Sequence, residues 1–267
     1  MLKSLGLYHR IKSSVAYDVY WRLANPALLA ARDEEVAFFR RLLRGFQAND
    51  LIFDIGANQG QKTDIFLRLG SRVIAVDPDE TNGRILCGNF LQNRLRKKPV
   101  LVVTKAVSDR SGIETMWVDK PGSAKNSLNS KWVETLQSDA ARFGQTLEFE
   151  NKVEVETVTL DELIRLYGQP FYIKIDVEGH EPSVLGGLST SVPFVSFEVN
   201  LPEFLPEALQ CLDLLHALEP LGEFNYAPEC RGKMACDQWL GAKSFPNVLR
   251  GCHERSIEVF WRKPATA

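Results

Sequence analysis

Leu51-Ile52-Phe53-Asp54-Ile55-Gly56-Ala57-Asn58-Gln59-Gly60 decides the fold of this chain. Residues 51–55 read as a buried strand, and residues 56–60 as a turn of small residues. A short helix follows over 61–69, stopped by Gly70. A second strand over 72–76 ends in an acid, Asp77, followed by Pro78. This is the layout of a nucleoside-binding α/β unit, in which the turn admits a ligand to the backbone and the acid faces ribose hydroxyls. A dinucleotide fingerprint counted from Gly56 needs glycines at 58 and 61. Those positions hold Asn58 and Gln61, so the spacing argues against an NAD-dependent oxidoreductase.

Strands and helices alternate from residue 51 onward. The pattern predicts a helix over 79–95, a third strand over 100–107, and extra strands over 113–118 and 147–158. Between the extra strands, residues 119–130 are rich in Gly, Ser, Asn and Lys and read as a loop. Thr159 with Glu162 forms a capping box opening a helix to Tyr167. Strands follow over 171–177 and 194–199, then a helix over 206–218 and two last strands over 224–226 and 257–262. The alternation predicts an open, mostly parallel seven-stranded α/β sheet with helices on both faces. Residues 1–50 read as an N-terminal helical extension. Within it, 32–46 places Val36, Phe39, Leu42, Leu43 and Phe46 on one face and Arg40, Arg41 and Arg44 opposite. Residues 51–267 form the second unit, with 229–256 an insertion before the last strand.

Net charge is −2 and the isoelectric point about 6.1, which gives no electrostatic reason to expect nucleic acid as a partner. Arg94, Arg96, Lys97 and Lys98 form the one dense basic cluster, at a predicted helix end where positive charge suits the helix dipole. No apolar run approaches the ~18–20 residues of a membrane span. The N-terminus lacks the features of a secretory signal, and residues 1–20 read as a packing arm rather than a membrane-surface helix. Five cysteines, at 87, 211, 230, 236 and 252, fit a reduced, cytoplasmic protein. Cys230, Cys236, Cys252 and His253 lack paired metal-ligand spacing and read as isolated groups.

The polar residues gather at predicted strand ends: Asp54, Asp77, the alternating Lys174, Asp176 and Glu178, then Glu198 and Asn200. A mid-sheet Lys174 would cost several kcal/mol unpaired, so it should pair with Asp176, Glu198 or a ligand. Asp176 reads as functional. For Lys174 a structural ion pair stands beside a functional role.

Asp-x-Gly-x-Asn-x-Gly over 54–60 resembles the first motif of class I S-adenosylmethionine (SAM) methyltransferases. Together with Lys174-Ile-Asp-Val-Glu-Gly-His-Glu181, Phe197-Glu-Val-Asn200, Thr159-Leu-Asp-Glu-Leu163 and Lys105-Ala-Val-Ser108, it makes residues 50–200 resemble the FkbM family of SAM-dependent methyltransferases. The resemblance implies a Rossmann-like methyltransferase sheet binding SAM. Gly56, Ala57, Asn58 and Gly60 would line its methionine end, and Asp54 would contact its amino group. Asp77 and Pro78 would hold the ribose, with Lys105 and Ala106 flanking the adenine. Thr63 reads as a cap of the following helix.

Methyl transfer to a hydroxyl needs a base, for which Asp176 or His180 is the candidate, supported by Lys174 and Glu198. His180 also has a capping role open to it. A divalent metal on Asp176, Glu198 and Asn200 is the less favoured route. The family is associated with O-methylation of sugars in glycans and of polyketide hydroxyls. A small-molecule or glycan acceptor is therefore expected, approached by the 119–130 loop. Trp132 and Trp239 read as packing rather than as sugar-stacking rings. The alternatives are an N-, protein or RNA methyltransferase, or a SAM-binding regulatory module without catalysis. Oligomeric state stays open.

Overall fold

A computed structural model describes residues 26–91, 100–138, 149 and 151–264. The 1–20 arm, the basic cluster at 94–98 and the start of the strand expected from 147 lie outside the described residues. The main sheet contains β1 (Leu51–Ile55), β2 (Arg72–Val76), β3 (Val100–Val103), β7 (Tyr172–Ile175), β8 (Phe194–Asn200), β9 (Glu223–Ala227), β10 (Leu240–Gly241) and β11 (Ser256–Arg262). Their order is β10-β9-β11-β8-β7-β1-β2-β3. The pairs from β3 across to β8 are parallel, whereas β11 runs antiparallel to both β8 and β9. A smaller sheet pairs β4 (Ala106–Val107), β6 (Asn151–Val158) and β5 (Gly112–Val118), in that order.

Three expectations change. The sheet has eight strands rather than seven, because the 229–256 insertion folds its own Leu240–Gly241 onto the edge of β9. The strand expected over 100–107 breaks after Val103. Its second half joins the smaller sheet, and the break leaves Lys105 and Ala106 at the mouth of the main sheet. The strand expected to 177 ends at Ile175, so Asp176 and Glu178 stand on the loop beyond it rather than alternating along a strand.

Alternate strand positions feed two apolar layers, as parallel strands covered on both faces require. Phe53, Ile55, Ile173 and Ile175 pack with α5 (Leu160–Tyr167), α6 (Glu181–Gly186), α7 (Leu205–Leu218) and α8 (Phe245–Arg250). Ile52, Val73, Ala75 and Tyr172 pack on the other face with α1 (Pro26–Leu42), α2 (Gln61–Leu69) and α3 (Glu80–Asn89). A further helix, α4 (Ser130–Ser138), seats buried Trp132 edge-on against Phe204, 5.4 Å between ring centres.

Helix α1 stops at Leu42, short of the expected 46, yet Leu43 stays buried and Phe46 meets Phe171 at 5.5 Å. Phe39 is fully buried, with ring centres 5.2 Å from Phe66 and 5.9 Å from Tyr172. Helix α1 therefore completes the core of the sheet. The capping box at α5 is half formed: Thr159 accepts from the Glu162 amide at 3.1 Å, but the Glu162 side chain turns to Ser111.

Truncating Phe39 to Ala should lower stability by about 3–5 kcal/mol in urea denaturation. A loss below about 1 kcal/mol would mean that the helix is a dispensable arm.

Candidate functional site

Strand order reverses between β1 and β7, and a cleft opens there, beyond the carboxyl ends of the parallel strands. This is where open α/β sheets bind ligands. Gly56 forms its floor, with φ +77°. A Cβ on residue 56 would fall 1.7 Å from the Asp176 carbonyl oxygen, so the turn after β1 and the turn after β7 can meet only through a bare α-carbon. Its amide and that of Ala57 both donate to the Val76 carbonyl, at 2.9 and 3.0 Å. The turn is thereby tied to the end of β2.

Asp77 stands at that end, on the cleft wall. Its Oδ2 accepts from the Asn58 amide at 2.8 Å. Its Oδ1 accepts from the Asp79 amide at 3.0 Å and from Asn82 Nδ2 at 3.1 Å. Asn58 reaches this position with φ +47°. Burial pushes the Asp77 carboxyl up to about 6, against the pull of those three donors. The Oδ1 of Asn82 is buried beside it without a partner. Neighbouring Asp79 caps α3 through the Thr81 amide and also accepts from the Gly122 amide and Asn126 Nδ2, at 2.7 and 2.9 Å. The 119–130 loop is thus pinned over the cleft, which Ser123, Asn126 and Leu128 line.

The other wall is carboxylate. Asp176, Glu178 and Glu198 bring ligand oxygens within 4.8 Å of one another. Lys174, fully buried on β7, places Nζ 2.7 Å from Asp176 Oδ2. Burial disfavours the ammonium, but Asp176, Glu258 and Asp54 more than offset this and raise its pKa. Burial would likewise raise Asp176, yet Lys174 and a proton donated by Glu198 bring it below the ordinary range. Glu198 and Glu178 are pushed well up, by burial first and then by the charge of Asp176. The trio therefore holds one firm anion and protons shared around it. Glu178 takes φ +55°, a conformation costly for a residue with a side chain. Its loop is held by Ser127 Oγ on the Glu178 carbonyl at 2.8 Å, by Asn129 on the Gly179 carbonyl, and by Glu181, which accepts from the Val177 and Gly179 amides.

His180 occupies the N-cap position of α6 but makes no side-chain cap. Its Nε2 lies 3.2 Å from Ser108 Oγ and 3.8 Å from Glu114. Burial lowers its pKa despite Glu114 and Asp109, which keeps the ring neutral near pH 7.

Gly56, Asn58, Asp77, Pro78, Lys105, Ala106, Asp176 and His180 therefore share one cleft. Asp54, Ala57 and Gly60 do not line it. Asp54 is fully buried behind the wall. Its Oδ2 accepts from Thr63 Oγ1 at 2.5 Å, and its Oδ1 has no partner. Thr63 is thus a partner of Asp54 and not the helix cap, which falls at Gly60. Gly60 packs where a Cβ would strike Phe90 and Leu86. Lys105 bonds Glu156 at 2.8 Å at the rim. Asn200 ends β8 opposite Ser256. Sequence reading placed Glu178 at a strand end without giving it a role, and passed over Asn82. A charged residue before Gly179 was a readable signal for the first, and nothing in an ordinary helix marks the second. The cysteines are free thiols, and among the described residues only the carboxylate trio has metal-like convergence.

This sheet order and cleft define the fold of the SAM-dependent methyltransferases. The model of the methyltransferase FkbM domain matches residues 54–222, and the chain belongs to that family. No curated protein matches it. Similar solved structures include the methyltransferase FkbM of Methylobacillus flagellatus KT, at 18% identity and TM-score 0.46, covering 73% of this chain and 45% of that one. This chain thus spans under half the length of that relative. The precorrin-6Y C5,15-methyltransferase of Geobacter metallireducens GS-15 matches at 10% identity and TM-score 0.44, over 87% and 86%. A SAM-dependent O-methyltransferase of Thermotoga maritima matches at 12% and 0.40, over 87% and 66%. No helix among the described residues is long and apolar enough to cross a membrane.

Replacing Lys174 with Met strands a carboxylate that is one-third exposed, so about 2–4 kcal/mol of stability should be lost at pH 7 in urea denaturation. Stability equal to the parent protein would show that the pair does not hold the site.

Proposed function

We propose that this chain transfers a methyl group from SAM to a hydroxyl of a sugar, glycan or polyketide-type molecule. One observation carries the reading: Asp176 is held anionic by a buried ammonium at the point where the cofactor cleft meets the carboxylate trio. Bound SAM supplies a methyl carbon made electrophilic by its sulfonium. The acceptor oxygen forms the new bond to that carbon, the carbon–sulfur bond breaks, and its electron pair stays on sulfur. The hydroxyl proton goes to Asp176, the anion of the trio, while Glu198 keeps the proton it already holds. Neutral His180 is the second base in reach of the cleft.

The chain's residues fit the cofactor. A carboxylate offers about four acceptor sites, and Asp77 already fills three of them. It retains one for a ribose hydroxyl, and the unpartnered Asn82 Oδ1 supplies the next. The orphan Asp54 oxygen would be satisfied by the cofactor's amino group through water. Backbone at Gly56 and Asn58 would meet the methionine end, and Ala106 the adenine.

A second reading, a divalent cation on the trio, has the convergence of Asp176, Glu178 and Glu198 in its favour. The Lys174 ammonium already neutralises one Asp176 oxygen, which weakens it. Activity that persists in EDTA excludes a required ion. Loss that magnesium restores establishes one.

Asp77→Ala should weaken SAM binding about tenfold to a hundredfold in calorimetry, whereas Asp176→Asn should keep binding and lose about 10²–10⁴ in turnover. Unchanged turnover would remove Asp176 from the chemistry. Binding should also weaken as pH falls through about 6, where Asp77 takes up its proton. The apoprotein trends the other way: because this carboxyl is raised above its unfolded value, its stability contribution is complete below about pH 4 and lost as pH rises through about 6. A SAM affinity flat from pH 5 to 8 would contradict the assignment of Asp77.

A further inference from the structure

A second, open cavity lies on the far side of Asp176, which lines both. Its walls are Glu35 of α1, Lys62 in the first turn of α2, Glu198 at the end of β8, Pro228 with residues 229–231 of the insertion that follows it, and 256–258 at the start of β11. We propose that this cavity is the acceptor site and that it takes a neutral polyhydroxylated ring, whose reacting hydroxyl reaches Asp176 from the side opposite the cofactor. The inference rests on the methyl-transfer reading above and adds where, and by what, the acceptor is held.

Three observations converge. In-line displacement needs the acceptor across the methyl group from the sulfur, and Asp176 is the residue shared by both spaces. The residues lining the cofactor cleft all fall within 54–222, the span that matches the family. Most of the second cavity falls outside that span: Glu35, 228–231 and 256–258. Walls added to a shared catalytic core are where substrate choice is expected to reside.

The third observation is chemical. Glu35, Asp176, Glu198, Glu229 and Glu258 face the space against Lys62 and Arg231, and those two bases are spoken for. Lys62 pairs with Glu35, and Arg231 lies 3.7 Å from Glu229. Asp176 is paired with Lys174, and burial raises Glu198 and Glu258, so among the described residues the lining offers a carboxylate or phosphate no unpaired cation, while its acid groups can accept from and donate to hydroxyls. Among the described residues, no aromatic ring lines the cavity. Trp132 is spent on Phe204 and Trp239 lies under Arg262, so the acceptor is held by hydrogen bonds rather than by stacking.

The test uses the full chain saturated with S-adenosylhomocysteine, whose own binding is measured first by calorimetry. Failure at that step overturns the cofactor reading and with it this inference. Neutral methyl hexopyranosides and methyl glucuronide are then titrated by ligand-observed NMR. The neutral glycosides should bind, with the glucuronide at least about tenfold weaker. Cys230→Trp fills the cavity from the insertion side, and Ser256→Phe fills it from an exposed position that folding tolerates. Each should weaken neutral glycoside binding by about tenfold or more while product affinity stays within about twofold. Glycoside binding unchanged in both variants, a preference for the glucuronide, or no glycoside binding with product bound would each overturn the proposal.

Discussion

The carbonyl oxygen of Asp176 occupies the space where residue 56 would carry a side chain. That contact closes the turn after β1 onto the turn after β7, where the order of the parallel strands reverses. Much of the cleft follows from it. The Gly56 and Ala57 amides are then directed to Val76, Asn58 can reach Asp77, and the Asp176 side chain is carried to the cleft rim. Any larger residue at 56 would separate the two turns and open the floor between the cofactor wall and the carboxylate wall.

Charge is placed with equal economy. Lys174 is buried in the middle of the sheet, and it is tolerated because acids surround it. On the same face, Tyr172 donates to Ser196 at 2.6 Å, and Ser196 in turn to Glu258. A buried polar network of this kind is sound only when its members are satisfied. Here it fixes an ammonium beneath a carboxylate that solvent and ligand can reach. The result is an anion held in place before any substrate arrives, positioned to accept a hydrogen bond at the cleft rim.

Much of this was legible in the sequence. The 51–60 stretch gave strand and turn because a run of apolar residues meets glycines at fixed spacing, and the 174–181 string placed a lysine and acids at one strand end. That Lys174 needs a partner followed from the cost of an unpaired buried charge, and of the partners left open, Asp176, Glu198 or a ligand, the fold supplies Asp176. What escaped were matters of tertiary context. Nothing local shows that a strand over 100–107 must break to serve two sheets, or that Leu240 and Gly241 find an edge to pair with. Thr63 looks like a helix cap, but the buried Asp54 carboxylate beside it is the stronger acceptor. The free oxygen of Asn82 is visible only once Asp77 is seen to consume its amide hydrogens.

The account stands on Asp176 as the boundary between a cofactor and its acceptor. The most direct measurement is a crystal structure with S-adenosylhomocysteine. It should show the ribose on Asp77 and Asn82, and the sulfur oriented so that an acceptor oxygen at ~3–3.5 Å from a transferring methyl would also touch Asp176. A ligand seated elsewhere, or one whose sulfur points away from Asp176, would contradict it.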